Sequence, residues 1–292
     1  MFSLFKKSIA VVWFFLLMAG SQGWAMEQSP YPALPDGQDA QEIAVHFLAI
    51  SQGESTLIQG TDGFTMLVDA GSAKSGSELA ELLEQNHILK IDALVLTGDM
   101  DHHVGGADEI LERFPVDQVL VPKLIKETIL REIHSPVRKL ETIEEGQTLE
   151  WPQFKMRILH PAEPLSLSPQ ANSLVFQLIH GDVKFLFTSD INEAAENELL
   201  EKYNVKSQIL KVSDSGSNQA SSPAFLEKVD AHAAIIFKNQ TVAEGVDEVV
   251  ERLHETWIDI YQTKNHGTIS IFSDGEDYRI KREKSKGYFD AN

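Results

Sequence analysis

The run "IDALVLT" (91–97) sets the strongest limit on the fold. From Ala93 to Leu96 it is apolar without alternation, so a strand built on it must be covered on both faces. Two further β-rich runs, "DVKFLFTSD" (182–190) and "KSQILKVSDSGS" (206–217), have the same plan of an apolar strand running into a polar loop. The first run also ends this way, in "TGDMDHHVGG" (97–106). Rigid strands hold such loops with little freedom to misplace a side chain, which is why reactive groups gather at strand ends.

The rest of the chain fits around these strands. "IAVHFLAI" (43–50), "STLIQG" (55–60) and "FTMLVDA" (64–70) predict three strands in meander order, separated by glycine-containing turns. "GSELAELLEQNHI" (76–88) carries apolar residues at helical spacing. Strand and helix patterns then alternate to "GTISIFSDG" (267–275), and the meander-then-βαβ style occurs twice. Short connections predict one α+β domain over 42–275: two mixed sheets packed face to face with helices on the outer faces, an αββα sandwich. Residues 276–292 are expected to form a polar, basic tail containing Lys281, Arg282, Lys284 and Lys286.

The N-terminus follows a different logic. Lys6 and Lys7 precede an apolar run over 8–20, with Gly23 and Ala25 after it, the layout of a signal peptide cleaved after Ala25. The run is short for a membrane span, so no stable insertion is expected after cleavage. Residues 26–41, with three prolines, are expected to form a linker. Export to the periplasm or outside the cell follows. The absence of cysteine excludes disulfides and thiolate ligands and is compatible with an oxidising compartment. Loss of Lys6 and Lys7 leaves 23 basic against 44 acidic side chains, a formal charge of −21. Such a field repels polyanions, so a broad nucleic-acid footprint is disfavoured and the expected partner is a small molecule or a protein.

Taken in order, these segments resemble the metallo-β-lactamase fold, and within it the hydrolase-like C-terminal domain of the DNA-uptake protein ComEC. "VHFLAISQGES" (45–55) is similar to the family's V-x-F-L-D-V-G-Q-G-D-S, and "MLVDAG" (66–71) to M-L-I-D-A-G. "LVLTGDMDHHVGG" (94–106) is similar to L-V-L-T-H-x-H-x-D-H-x-G-G. "NSLVF" (172–176), "FLFTSDI" (185–191) and "LKVSDSGS" (210–217) are similar to N-S-L-V-L, F-L-F-T-G-D-I and L-K-V-G-H-H-G-S. The resemblance runs from about Ile43 to Gly275 and implies a metal-dependent hydrolase, of phosphodiesterase or nuclease type, using one or two divalent ions, zinc or manganese.

The metal motif departs from that frame. Its two leading histidines fall on Gly98 and Met100, one with no side-chain donor and the other a thioether poorly matched to zinc or manganese. The motif's aspartate falls on His102, and His103 is unchanged. Asp190 stands where the family bridges two ions, Asp214 and Ser215 replace a histidine pair, and Glu244 aligns with a later histidine. Asp69 is expected to orient the metal loop by hydrogen bonds. Two readings follow. In one the centre is degenerate, holds no metal and serves as a binding module, a pseudoenzyme. In the other a single ion, zinc or manganese, is held by His102, His103, Asp190, Asp214 and Glu244 and supports hydrolysis.

Other polar residues read as structural. His160 and His266 are expected to be satisfied at strand edges, and Gly105 and Gly106 to serve backbone geometry. Ser221 or Ser222 is expected to cap a helix rather than "SGSNQAS" (215–221) to cradle an anion.

Overall fold

The computed structural model describes residues 42–238 and 248–284. The signal and linker expected over 1–41 lie outside the described residues, as does Glu244. Among the described residues, no helix is long and apolar enough to cross a membrane.

In chain order the strands are β1 (Ile43–Phe47), β2 (Thr56–Gly60), β3 (Thr65–Val68), β4 (Ile91–Val95), β5 (Val116–Pro122), β6 (Leu140–Ile143), β7 (Thr148–Glu150) and β8 (Lys155–His160). The second half adds β9 (Val175–His180), β10 (Val183–Phe187), β11 (Ile209–Lys211), β12 (Ala233–Ile236), β13 (Asp259–Gln262), β14 (Ile269–Ser273) and β15 (Tyr278–Arg282). They form an eight-stranded sheet in the order β15-β14-β1-β2-β3-β4-β5-β6 and a seven-stranded sheet in the order β13-β12-β11-β10-β9-β8-β7. Both sheets are mixed. β3, β4, β5 and β6 run parallel, as do β10, β11, β12 and β13, whereas β1, β2, β9 and β14 pair antiparallel with their neighbours.

The period-two alternation assigns each side chain to a layer. Val45, Phe47, Ile58, Met66, Ala93 and Val95 meet Phe176, Leu178, Phe185 and Ile209 between the sheets. Leu57, Leu67, Leu94 and Leu96 face outward onto helices α1 (Gly76–Gln85) and α3 (Ala107–Arg113). The unbroken run in β4 thus serves two cores at once, as a doubly covered strand must. On the far side, Leu186, Leu210 and Ile236 pack beneath α5 (Glu193–Lys202), α6 (Pro223–Val229) and α7 (Glu248–Glu255). Two one-turn or short helices, α2 (Asp101–Val104) and α4 (Lys126–Arg131), lie in loops, and α8 (Thr263–His266) follows β13.

The sequence boundary at Gly275 is too early. Residues expected in a polar tail form β15, which pairs with β14 from Ile269↔Arg282 to Ser273↔Tyr278. Tyr278 and Ile280 pack on the inter-sheet core, while Arg279 and Lys281 stack over Phe272 on the other side. The physical reason is the alternation in "YRIKR": Arg279 and Lys281 share one face, which leaves Tyr278 and Ile280 on the other to pack on the core, with Arg282 at the strand end.

His46 on β1 is buried, and its Nδ1 lies 2.8 Å from Ser270 Oγ. Burial disfavours the imidazolium and lowers its pKa to about 4, against an opposing hydrogen bond with Gln59. The fold therefore prefers neutral His46. Its contribution is complete above pH 6.5 and is lost as pH falls from 6.5 toward 4, a loss of about 3 kcal/mol at roughly 1.4 kcal/mol per pH unit. Denaturant unfolding of wild type and His46→Gln at pH 7.5 and 4.5 checks this: the variant is expected to lose less stability between the two pH values than the wild type, and an equal loss would exclude His46 as a contributor.

Candidate metal centre

The polar loops meet at the C-terminal ends of β3, β4, β10 and β11. Asp69, just past β3, sits in the left-handed region with φ 63. Its carboxylate accepts three hydrogen bonds of 2.8 Å, from Thr97 N, Thr97 Oγ1 and His103 Nδ1. Because Thr97 has one hydroxyl proton and gives it to an acceptor-only carboxylate, Ser189 Oγ donates to Thr97 Oγ1 at 2.7 Å. This chain ties the first sheet to the loop after β10.

The metal loop folds as the single helical turn α2, which brings two adjacent histidines to one cleft. His103 is fully buried, His102 retains 30% side-chain exposure, and their ring centroids are 4.2 Å apart. The loop is pinned from both sides. Glu54 N donates to the His102 carbonyl at 2.9 Å and Ala70 N to the His103 carbonyl at 2.7 Å. Gly106 permits this approach, since a Cβ there would lie 2.2 Å from Ala70 O, and one on Gly105 would lie 2.4 Å from Ala73 N.

Asp190 completes the constellation. Its backbone N–H donates to Ser173 Oγ at 3.0 Å, and its two carboxylate oxygens face the two imidazoles. His102 Nε2 is 2.8 Å from Oδ2 and His103 Nε2 is 3.0 Å from Oδ1. One ligand atom from each of these three residues lies within 4.8 Å of the others. The His103–Asp190 contact is close but badly aligned. His103 Nε2 and Asp190 Oδ1 are both buried and neither makes a hydrogen bond. Asp69 holds the other nitrogen of His103, the arrangement that orients a ligating imidazole.

Burial alone would lower the pKa of His103, but the carboxylates of Asp69 and Asp190 overcome it and raise it well above the usual histidine value. Burial would raise Asp190, and the charge of His103 with the hydrogen bond from His102 holds it far below the ordinary carboxylate range. Two imidazole nitrogens and a carboxylate are a donor set suited to a divalent ion with open positions. The two unpartnered buried atoms face each other where such an ion would sit. The residues present therefore fit one ion.

Not every expected ligand joins. Asp214 is half-buried. Burial and the nearby charge of Asp190 raise its pKa, its backbone N–H donates to Ser189 O at 2.9 Å, and its carboxylate lies outside the converging group. Gly98 and Met100 contribute no ligand-type atom. Asp69 is bonded to His103 and is absent from the converging trio.

Lys211 was missed. It is 5% exposed on its side chain, ion-pairs with Glu54, which is 2% exposed, and donates to Ser189 O at 3.1 Å. Ser215 Oγ donates to the other Glu54 oxygen at 3.0 Å. That bond helps hold three successive left-handed residues, Asp214 (φ 45), Ser215 (φ 50) and Gly216 (φ 82). The signal was present in "ILKVS": a lysine in the apolar strand requires a buried carboxylate partner. Glu54, Asp69, Thr97, Ser189 and Lys211 line a cavity of about 10 Å³, room for one water molecule.

His160 and His266 are satisfied, with His160 Nε2 2.8 Å from Ala171 O and His266 Nδ1 accepting from Gln262 N at 3.0 Å. At the start of α6, Ser222 accepts from Phe225 N at 3.3 Å, and the chain's own Glu196 accepts from Ser221 N and Ser222 N. The helix start thus already holds an anion, and burial raises the pKa of that carboxyl.

Comparison with known proteins agrees with this architecture. ComE operon protein 3 of Bacillus subtilis is 25% identical over 264 residues, covering 82% of this chain and 33% of the relative. Recombination protein 2 of Haemophilus influenzae is 26% identical over 249 residues, covering 83% of this chain and 30% of the relative. The chain thus spans about a third of the length of these curated relatives. Among solved structures, the metallo-β-lactamase fold protein YhfI of Bacillus subtilis shares the fold at TM-score 0.57 and 13% identity, covering 80% of this chain and all of that one. The family model described as the metallo-β-lactamase superfamily matches residues 49–237, and with two mixed sheets and strand-end loops in its arrangement, the chain belongs to that superfamily.

Proposed function

We propose that this chain is an exported binding module derived from a ComEC-type hydrolase domain, in which a two-ion centre has been reduced to a single-ion site and hydrolysis given up. The carrying observation is the contrast within one loop: His102, His103 and Asp190 converge within 4.8 Å, while Gly98 and Met100 offer nothing to a second ion. Charge supports the same reading. Glu54 is paired with Lys211, so that acid is neutralised by a fixed cation of the chain and is not free to hold a second ion. The formal charge of −19 favours a small molecule or a protein as partner over a nucleic acid.

A second reading, a single-ion hydrolase, is favoured by the exposure of His102, which leaves an ion at the trio open to solvent on one side. A bound ion would supply Lewis acidity. This chain's residues would hold His103 in the ligating orientation through Asp69 and keep Asp190 facing it through Ser173.

Elemental analysis of the untagged mature chain after zinc loading is expected to give about one ion, falling at least tenfold in occupancy for His102→Ala and for Asp190→Asn. A phosphodiester assay on the same samples is expected to show no turnover above those variants. Zinc-dependent turnover that both variants abolish would favour the hydrolase, and failure to retain an ion would remove the single-ion site.

A further inference from the structure

The three donors are not equivalent. Asp190 and His103 are fixed: both side chains are buried, Asp190 is positioned through Ser173, and His103 Nδ1 is committed to Asp69, leaving only Nε2 to face the cleft. His102 is the partly exposed member, and its side chain meets Asp190 and the neighbouring ring of His103. Its identity can therefore change with little cost to the fold, and it decides whether the site offers two nitrogens and one oxygen or one nitrogen and two oxygens.

That difference has chemical consequences. Imidazole donors suit zinc, nickel and copper, whereas carboxylate-rich sites suit magnesium and manganese, which bind mainly through charge. The other acids near the trio are not among its converging donors. Glu54 is ion-paired with Lys211, Asp69 accepts three hydrogen bonds, and the Asp214 carboxylate lies outside the group. Asp190 is thus the one carboxylate facing the ion, with two neutral nitrogens when the ion is bound.

We propose that His102 is the residue that sets the ion preference of this centre, selecting borderline ions of the zinc class against manganese and magnesium. This rests on the single-ion reading above. Any nitrogen–oxygen site binds zinc more tightly than manganese in the general order of divalent ions, so a simple zinc preference is not diagnostic. The informative quantity is the change in the ratio of the manganese to the zinc dissociation constant when residue 102 alone is changed.

Calorimetric titration of the full mature chain with zinc chloride and with manganese chloride, on the wild type, His102→Asp and His102→Glu, provides it. The glutamate variant extends about as far as imidazole Nε2, so a short reach in the aspartate variant does not decide the outcome. Unfolding curves confirm that each variant folds. The ratio is expected to fall at least tenfold in one or both carboxylate variants, through weaker zinc and stronger manganese binding. Zinc binding with a ratio unchanged in both variants overturns the role of His102 and leaves the single-ion site standing. No zinc binding by the wild type overturns that site, and the inference with it.

Discussion

Replacing Lys211 by methionine is expected to lower the unfolding free energy by about 3–5 kcal/mol, the usual cost of leaving one partner of a buried ion pair uncompensated. For a domain of this size that corresponds to a fall in Tm of roughly 10 °C. The magnitude follows from burial. Lys211 and Glu54 have side-chain exposures of 5% and 2%, so water cannot re-solvate the carboxylate that remains. The pair also joins the two halves of the sandwich, because Glu54 precedes β2 in one sheet and Lys211 ends β11 in the other. Glu54→Gln combined with Lys211→Met removes both charges, and the double variant is expected to be more stable than Lys211→Met alone. That coupling is what a double-mutant cycle by urea unfolding measures. A loss below 1 kcal/mol for Lys211→Met would show that the pair is solvated or that Glu54 takes up a proton cheaply. The same change releases Ser189, held at φ 42 beside Asp190, so zinc affinity is expected to fall as well.

The sandwich was legible because its strongest strands are apolar on both faces. A strand such as β4, whose Ala93 and Val95 point to one core and Leu94 and Leu96 to another, leaves few architectures open. The trio of His102, His103 and Asp190 was legible for a related reason: ligand-type side chains directly follow buried strands, where loop positions are held tightly. The one-turn helix α2 was not visible, since Met100 provides no side-chain cap and four residues carry no periodicity. Yet that turn is what lets adjacent histidines share a cleft. A lysine in the apolar strand β11 signals a buried partner for Lys211, but nothing local names Glu54 as that partner, since their pairing is a product of sheet packing. β15 escaped because the charges of Arg279, Lys281 and Arg282 drew attention from the Tyr278–Ile280 alternation that packs on the core.

The double replacement Gly98→His and Met100→His is expected to raise the zinc content of the chain from about one to about two ions, with either single change leaving it near one. The backbone permits it. A Cβ on Gly98 would meet only Ser173 Cβ at 3.6 Å and His103 Cδ2 at 3.8 Å, ordinary contact distances, and Gly98 is absent from the positive-φ residues. An imidazole there would extend from the end of β4 alongside the ring of His103. Met100 is half-buried and extended at the head of α2, so its side chain is not built into a core. Two added nitrogens with Asp190 between the ions give the second position three donors, the minimum seen in open zinc sites. Each single variant supplies only two of these, too few to hold an ion against solvent. Two ions in the double variant would show that the scaffold for the lost position persists and that its loss resides in these two side chains. A content that stays at one would place the loss elsewhere, in the left-handed loop around Asp214 and Ser215 that now closes over Glu54.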